Sequence, residues 1–181
     1  HDAEALDAVL EGVDVVVHLA AIAHRAPTSG PDGGGIFAWN VTDTTAVATA
    51  AARAGVRRFV LVSSIGVLGN RNKQEAFTES SSPSPSEPYA ISKWQAECAL
   101  RWIHGKHPGM AYVIVRPPLV YGPHAPGNFR RAMLALERGL PLPLRGLNNQ
   151  RSFIALDNLL SLLECCSWHP AAANQVFVAA D

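Results

Sequence analysis

Short runs of β-branched and aliphatic residues, separated by long stretches of helical pattern, constrain this chain more than any other feature. Val13–Leu19, Arg58–Val62 and Ala111–Arg116 are each five to seven residues long, and none alternates cleanly between apolar and polar. A strand with one wet face alternates with period two; a near-continuous apolar run is what a strand covered on both faces requires. Between them lie segments that read as helices: Asp2 to Glu11, stopped at Gly12; Phe37 to Ala54, closed by Gly55; and Pro88 to about Lys106, with proline suited to the first turn. Further helices are expected at Asn128 to Arg138 and Leu156 to Cys166, with a last strand at Gln175–Ala179. Strands joined by helices form right-handed crossovers, so the expected fold is α/β with a doubly wound parallel sheet.

Composition agrees. The 181 residues are 48% hydrophobic and 17% charged, enough to bury a core. Lys+Arg and Asp+Glu are both 15, which argues against a general nucleic-acid or membrane-surface binder. The balance is local, however: Arg116, Arg130, Arg131, Arg138, Arg145 and Arg151 face only Glu137 in the segment they span, a field suited to an anionic ligand or simply a set of surface arginines. Cys98, Cys165 and Cys166 have neither disulfide nor metal spacing, and no metal site is expected; reduced cysteines fit the cytoplasm. No apolar run approaches membrane-spanning length.

Chemistry concentrates at Tyr89-Ala-Ile-Ser-Lys93. Residues four apart share a helix face, so both side chains can reach one ligand, and a nearby ammonium should lower the pKa of the phenol. Two exposed polar residues on an amphipathic helix would explain the pair equally well if it stood alone. It does not: Val60-Leu-Val-Ser-Ser64 is an apolar strand ending in two serines, at the edge where open α/β sheets bind ligands.

Together, Ser63-Ser-Ile-Gly-Val-Leu-Gly69 and the Tyr89/Lys93 pair resemble the serine strand end and YxxxK motif of the extended short-chain dehydrogenase/reductase family, in its nucleotide-sugar epimerase-like branch of NAD-dependent epimerases and dehydratases. The resemblance implies a Rossmann-type sheet and catalytic roles for Ser64, Tyr89 and Lys93. Ser64 would bond the substrate oxygen, Tyr89 would give or take the proton, and Lys93 would hold the nicotinamide ribose and tune Tyr89. It extends to Val17-His-Leu-Ala-Ala21, where Leu19, Ala20 and Ala21 would let the adenosine side of the cofactor approach. It also covers Asn40-Val-Thr-Asp-Thr44, whose Asn40 would support the site while Asp43 replaces a usual glycine. Val62, Ser63, Pro117 and Pro118 complete the implied cofactor contacts, the prolines in Arg116-Pro-Pro-Leu-Val-Tyr-Gly-Pro123. Asn128, after Gly127, and Arg151 resemble diphosphate contacts in nucleotide-sugar enzymes, which helix N-termini and guanidinium groups suit chemically. The alternative readings of these two are an ordinary N-cap and a surface charge; in addition, Leu119 stands where many sugar epimerases carry Asn, so one substrate hydrogen bond that the resemblance implies is absent.

The implied protein is an NAD(P)-dependent epimerase or reductase of a nucleoside-diphosphate sugar, a UDP-sugar first, with NAD ahead of NADP and a homodimer as its assembly. A ketone or aldehyde reductase of an apolar substrate is the nearest alternative, favoured by Leu119 and the Leu140–Leu147 stretch; a non-catalytic NAD(P)-sensing module is a third. Residues 1–116 would form a partial cofactor domain and 117–181 mainly a substrate lobe with segments returning to the sheet. The family's Gly-rich turn is not in the chain, and about 50 to 60 residues are expected before His1 by the usual βαβ spacing. The chain is thus expected to be a fragment that binds cofactor weakly alone. Gly30-Pro-Asp-Gly-Gly-Gly35 follows no strand directly and reads as a loop, and His18 as a packed side chain rather than a ligand.

Overall fold

The computed structural model describes residues 3–22, 38–71, 76–123, 128–140 and 151–181. In chain order they form α1 (Ala3–Leu10), β1 (Val15–His18), a π-helical turn (Ala38–Asp43) running into α2 (Thr44–Arg53), β2 (Arg58–Val62) and a 3₁₀ turn (Ile65–Leu68). Then come α3 (Pro88–Lys106), β3 (Ala111–Arg116), β4 (Leu119–Tyr121), α4 (Asn128–Glu137), β5 (Phe153–Ala155), α5 (Leu156–Trp168), a second 3₁₀ turn (Pro170–Ala172) and β6 (Gln175–Val178). Four strands make one sheet in the order β1-β2-β3-β6, and every pairing is parallel. The expected α/β parallel sheet is what forms.

Side-chain parity explains why the strands read as continuous apolar runs. Phe59, Leu61 and Ile114 pack with Ala48, Ala51, Ala96, Leu100 and Ile103 of α2 and α3. Their chain neighbours Val60, Val113 and Val115 pack on the opposite face with Leu159, Leu163 and Cys166 of α5. Successive residues point to opposite faces, and both faces are covered. Arg58 locks the second layer: its guanidinium donates to the carbonyls of Cys166 and His169, both at 2.9 Å. A cation there meets the negative end of the α5 dipole.

The structure adds elements that the sequence reading did not resolve. Where one continuous helix is expected from Phe37, the chain makes a π-helical turn before α2. β4 and β5 pair in parallel as a separate two-stranded sheet, Val120 opposite Ile154. Asp181 ties them to α5, its carboxylate accepting from Tyr121 OH (3.0 Å), the Ala155 amide (2.8 Å) and Asn158 Nδ2 (2.7 Å). No helix among the described residues is long and apolar enough to cross a membrane.

Candidate active site at the carboxyl ends of the strands

Because β1, β2 and β3 are parallel, their carboxyl ends share one edge, and Leu19–Ala21, Ser63–Ser64 and Pro117–Pro118 follow the strands there. Leu19, Ala20 and Ala21 leave β1 exposed, Leu19 at 57%. Val62 is half-buried, its side chain in the α5-facing cluster. Ser64 follows β2 in extended conformation, and its Oγ accepts from the Gly66 amide at 3.1 Å, capping the 3₁₀ turn. A Cβ on Gly66 would sit 3.4 Å from both Ala90 Cβ and Ser64 Oγ, so this turn brings the Ser64 hydroxyl against the first turn of α3. Two further bonds hold the ends of β2 and β3 together: Ser63 N to Val115 O (2.7 Å) and Ile65 N to Pro117 O (2.9 Å). Pro117 is buried and Pro118 half-buried.

Helix α3 starts at Pro88 as expected, which puts Tyr89 in its first turn and Lys93 one turn on. Lys93 is only 1% exposed. Burial lowers its pKa to about 8, against an opposing upward pull from the Glu97 carboxylate. Tyr89 departs from expectation. Its phenol lies above its ordinary pKa, raised by burial, rather than below it. The ammonium that was to lower it is itself drawn into a buried setting beside Glu97. Without ligand, Tyr89 is a protonated phenol.

Asn40 is 2% exposed and uses its whole carboxamide. Oδ1 accepts from the Ile22 amide (2.8 Å), while Nδ2 donates to Ile22 O (3.2 Å) and Ser92 Oγ (2.9 Å). Ser92 in turn donates to Tyr89 O at 2.7 Å. Asn40 thus joins the exit of β1 to the Tyr89 turn, and the Asp43 that replaces a glycine does not prevent that approach. His18 is buried beside the Phe59 ring, and its Nε2 lies 3.1 Å from Thr44 Oγ1. The Thr44 hydroxyl donates to Asn40 O (2.7 Å), so Nε2 must carry the proton. Burial first and the Lys93 ammonium second lower the His18 pKa, with Asp43 opposing. His18 is therefore a neutral packed side chain.

The reading of the arginines needs a correction at Arg116. It faces no solvent: it is a buried partner of Glu97, with Nε to Oε1 at 2.9 Å and Nη2 to Oε2 at 2.7 Å. Ser63 is likewise buried and committed, donating to Glu97 Oε1 at 2.6 Å. Arg131, Arg138 and Arg151 are exposed. Asn128 begins α4. Gly127, Arg145, the loop at 30–35 and most of the Leu140–Leu147 stretch lie outside the described residues. The described residues hold no cluster of metal-ligating side chains.

Glu97 itself went unnoticed in the sequence. Its signal was available: an acid on the buried stripe of α3 (Ala90, Lys93, Ala96, Leu100, Ile103) and an arginine ending an otherwise apolar strand.

Comparison with known proteins places this architecture. The chain is 36% identical over 175 residues to UDP-glucose 4-epimerase from Vibrio cholerae, covering 95% of this chain and 53% of that protein. The crystal structure of UDP-glucuronic acid 4-epimerase from Bacillus cereus, in complex with UDP-glucuronic acid and NAD, superposes with a TM-score of 0.81 at 25% identity. That match covers 99% of this chain and 58% of the other. A dTDP-glucose 4,6-dehydratase from Streptomyces venezuelae with NAD bound gives 0.78 at 29% identity, covering 98% and 55%. The chain spans about half the length of the curated relatives it matches. The model of the NAD dependent epimerase/dehydratase family matches residues 1–180, and the chain belongs to that family.

Proposed function

We propose that the protein is an NAD-dependent epimerase of a nucleoside-diphosphate sugar, a UDP-sugar first, working through a keto-sugar. The observation that supports this is Ser64 at the carboxyl end of β2 near the first turn of α3, the helix that carries Tyr89 and, one turn on, a buried Lys93 whose pKa is lowered to about 8. The relatives add weight, since the Bacillus cereus structure holds a UDP-sugar with NAD.

The residues present fit such a cofactor: Leu19, Ala20 and Ala21 leave an open surface that its adenosine side could approach, and Lys93 carries N–H donors in a site shielded from water that could hold its nicotinamide ribose. Bound NAD would supply the hydride acceptor for oxidation of the sugar carbinol and return it to the opposite face. Tyr89 would take the hydroxyl proton as the carbonyl forms and give it back on reduction. Burial keeps the phenol protonated in the resting state, so Tyr89 would first give up its own proton to solvent, a loss that the Lys93 charge would favour, before it could take the proton of the sugar hydroxyl. Ser64 would hydrogen-bond the same oxygen and fix it near Tyr89. Asn128, at the start of α4, and the exposed Arg151 would contact the diphosphate, with β4, α4 and β5 as the beginning of a substrate lobe. The assembly would be a cytoplasmic homodimer through the outer side of α3, where Trp102 is 65% exposed.

The test is Tyr89→Phe in the intact protein, assayed for interconversion of UDP-glucose and UDP-galactose. Turnover should fall about 10²- to 10⁴-fold, the scale of a lost general acid–base, while UDP-sugar binding persists. Undiminished turnover would remove Tyr89 from the chemistry.

A further inference from the structure

Strand parity sends two polar side chains into the layer between sheet and α3. Positions 59, 61 and 63 of the β2 segment face that layer, as do 112, 114 and 116 of β3, so Ser63 and Arg116 converge there. They meet on Glu97, four residues after Lys93 and fully buried. Its carboxylate accepts four bonds: Ser63 Oγ and Arg116 Nε on Oε1, Arg116 Nη2 and Arg101 Nη2 on Oε2, the last at 3.2 Å. Nothing on this oxygen pair is left for solvent. Arg101 and Arg116 form ion pairs with this carboxylate, and its charge also acts on Lys93, one helical turn away. A buried ion group is a poor device for stability alone, since apolar residues of similar volume usually serve as well. Its placement suggests another use, because it touches the ends of two strands and the helix turn bearing Lys93.

We propose that Glu97 is a positioning residue for the Ser64–Tyr89–Lys93 group: it pins the ends of β2 and β3 to α3 and supplies the buried counter-charge of the Lys93 ammonium. This rests on the catalytic reading above, and its test is built to separate the two. The charged and titratable groups around Lys93 are Tyr89, Glu97 and Arg101 on its own helix, Arg116 from β3 through Glu97, His18 from β1 and Asp43 beside His18. Among them Glu97 raises the Lys93 pKa against burial.

In the intact, cofactor-free protein, competitive amine labelling read by mass spectrometry across pH gives the Lys93 midpoint directly. Glu97→Gln should move it about one pH unit toward acid, the effect of removing one near opposite charge. Glu97→Asp keeps the charge and should leave the midpoint near that of the parent while lowering kcat, because the carboxylate no longer reaches both strand ends. If Glu97→Gln does not fold, the Glu97→Gln/Arg116→Met pair is compared with Arg116→Met alone, so that the loss of the guanidinium is common to both, and the Lys93 midpoint of the pair should again lie on the acid side. An unchanged Lys93 midpoint in a folded variant overturns the proposal. Should Tyr89→Phe prove active, the catalytic reading falls, yet the labelling experiment still decides the role of Glu97 as counter-charge.

Discussion

Removing the Asn40 side chain should loosen the site by an amount that its bonds define. Asn40→Ala loses three hydrogen bonds, at 2.8, 3.2 and 2.9 Å. Two involve the Ile22 backbone, which is half-buried, so water can reach the freed groups. The third leaves Ser92 with Tyr89 O as acceptor for its own proton. None of the partners becomes an orphan, and each bond is then worth its net value of about 1 kcal/mol, giving about 3 kcal/mol in all. For a protein of this size that lowers Tm by about 6–12 °C. Asn40→Asp keeps the shape but turns a donor toward Ile22 O into a second acceptor and buries a charge. At pH 7 it should be less stable than Asn40→Ala. Its carboxyl has a raised folded pKa, so stability should return as the pH falls and protonation restores the donor. Urea unfolding of the intact protein at pH 7 and pH 5 provides the measurement. An Asp variant within about 0.5 kcal/mol of the parent at pH 7 would refute the assigned donor geometry.

Two other outcomes follow from the core and from Lys93. Phe59→Ala, at a fully buried site between β2 and α2–α3, should cost about 3–5 kcal/mol in urea unfolding; a loss below about 1 kcal/mol would mean the two layers do not pack there. Lys93 has a folded pKa of about 8 against an ordinary 10.5, so the unfolded chain binds the extra proton between those values. Stability contributed by this group is therefore lowest below pH 8 and rises by about 3 kcal/mol toward pH 10.5. The Lys93→Met variant lacks that rise; parallel pH slopes for parent and variant would contradict the burial of the ammonium.

The strand and helix framework was legible because its signals are local. Arg58–Val62, Ala111–Arg116 and the Pro88–Lys106 helix form at the residues expected, since apolar runs and a helix-starting proline need no knowledge of their neighbours. The π-helical turn at Ala38–Asp43 was hidden because it depends on contacts of Asn40 and Thr44 with residues far along the chain. β4 and β5 are three residues each, too short to carry a pattern, and exist by pairing with each other. For the site, Tyr89, Lys93 and Ser64 could be found through a motif and a strand end. The pKa of the Tyr89 phenol could not, because its direction depends on how deeply the helix is buried. Arg116 looked like surface charge until the parity of β3 was fixed by its partners.

The order β1-β2-β3-β6 repeats the order of the chain, with each strand added beside the one before it. For a protein made from its amino end, this has a kinetic meaning. Among the described strands none has to be inserted between two that are already paired, and only the β3 edge waits, for β6. The Tyr89 helix can settle on β2 as β3 emerges, and β6 then closes against β3 from about 60 residues further on, Val115 opposite Phe177. That last pairing spans the greatest stretch of chain, so loop closure should make it the slow step of assembly. Within this segment, translation and folding proceed in one direction.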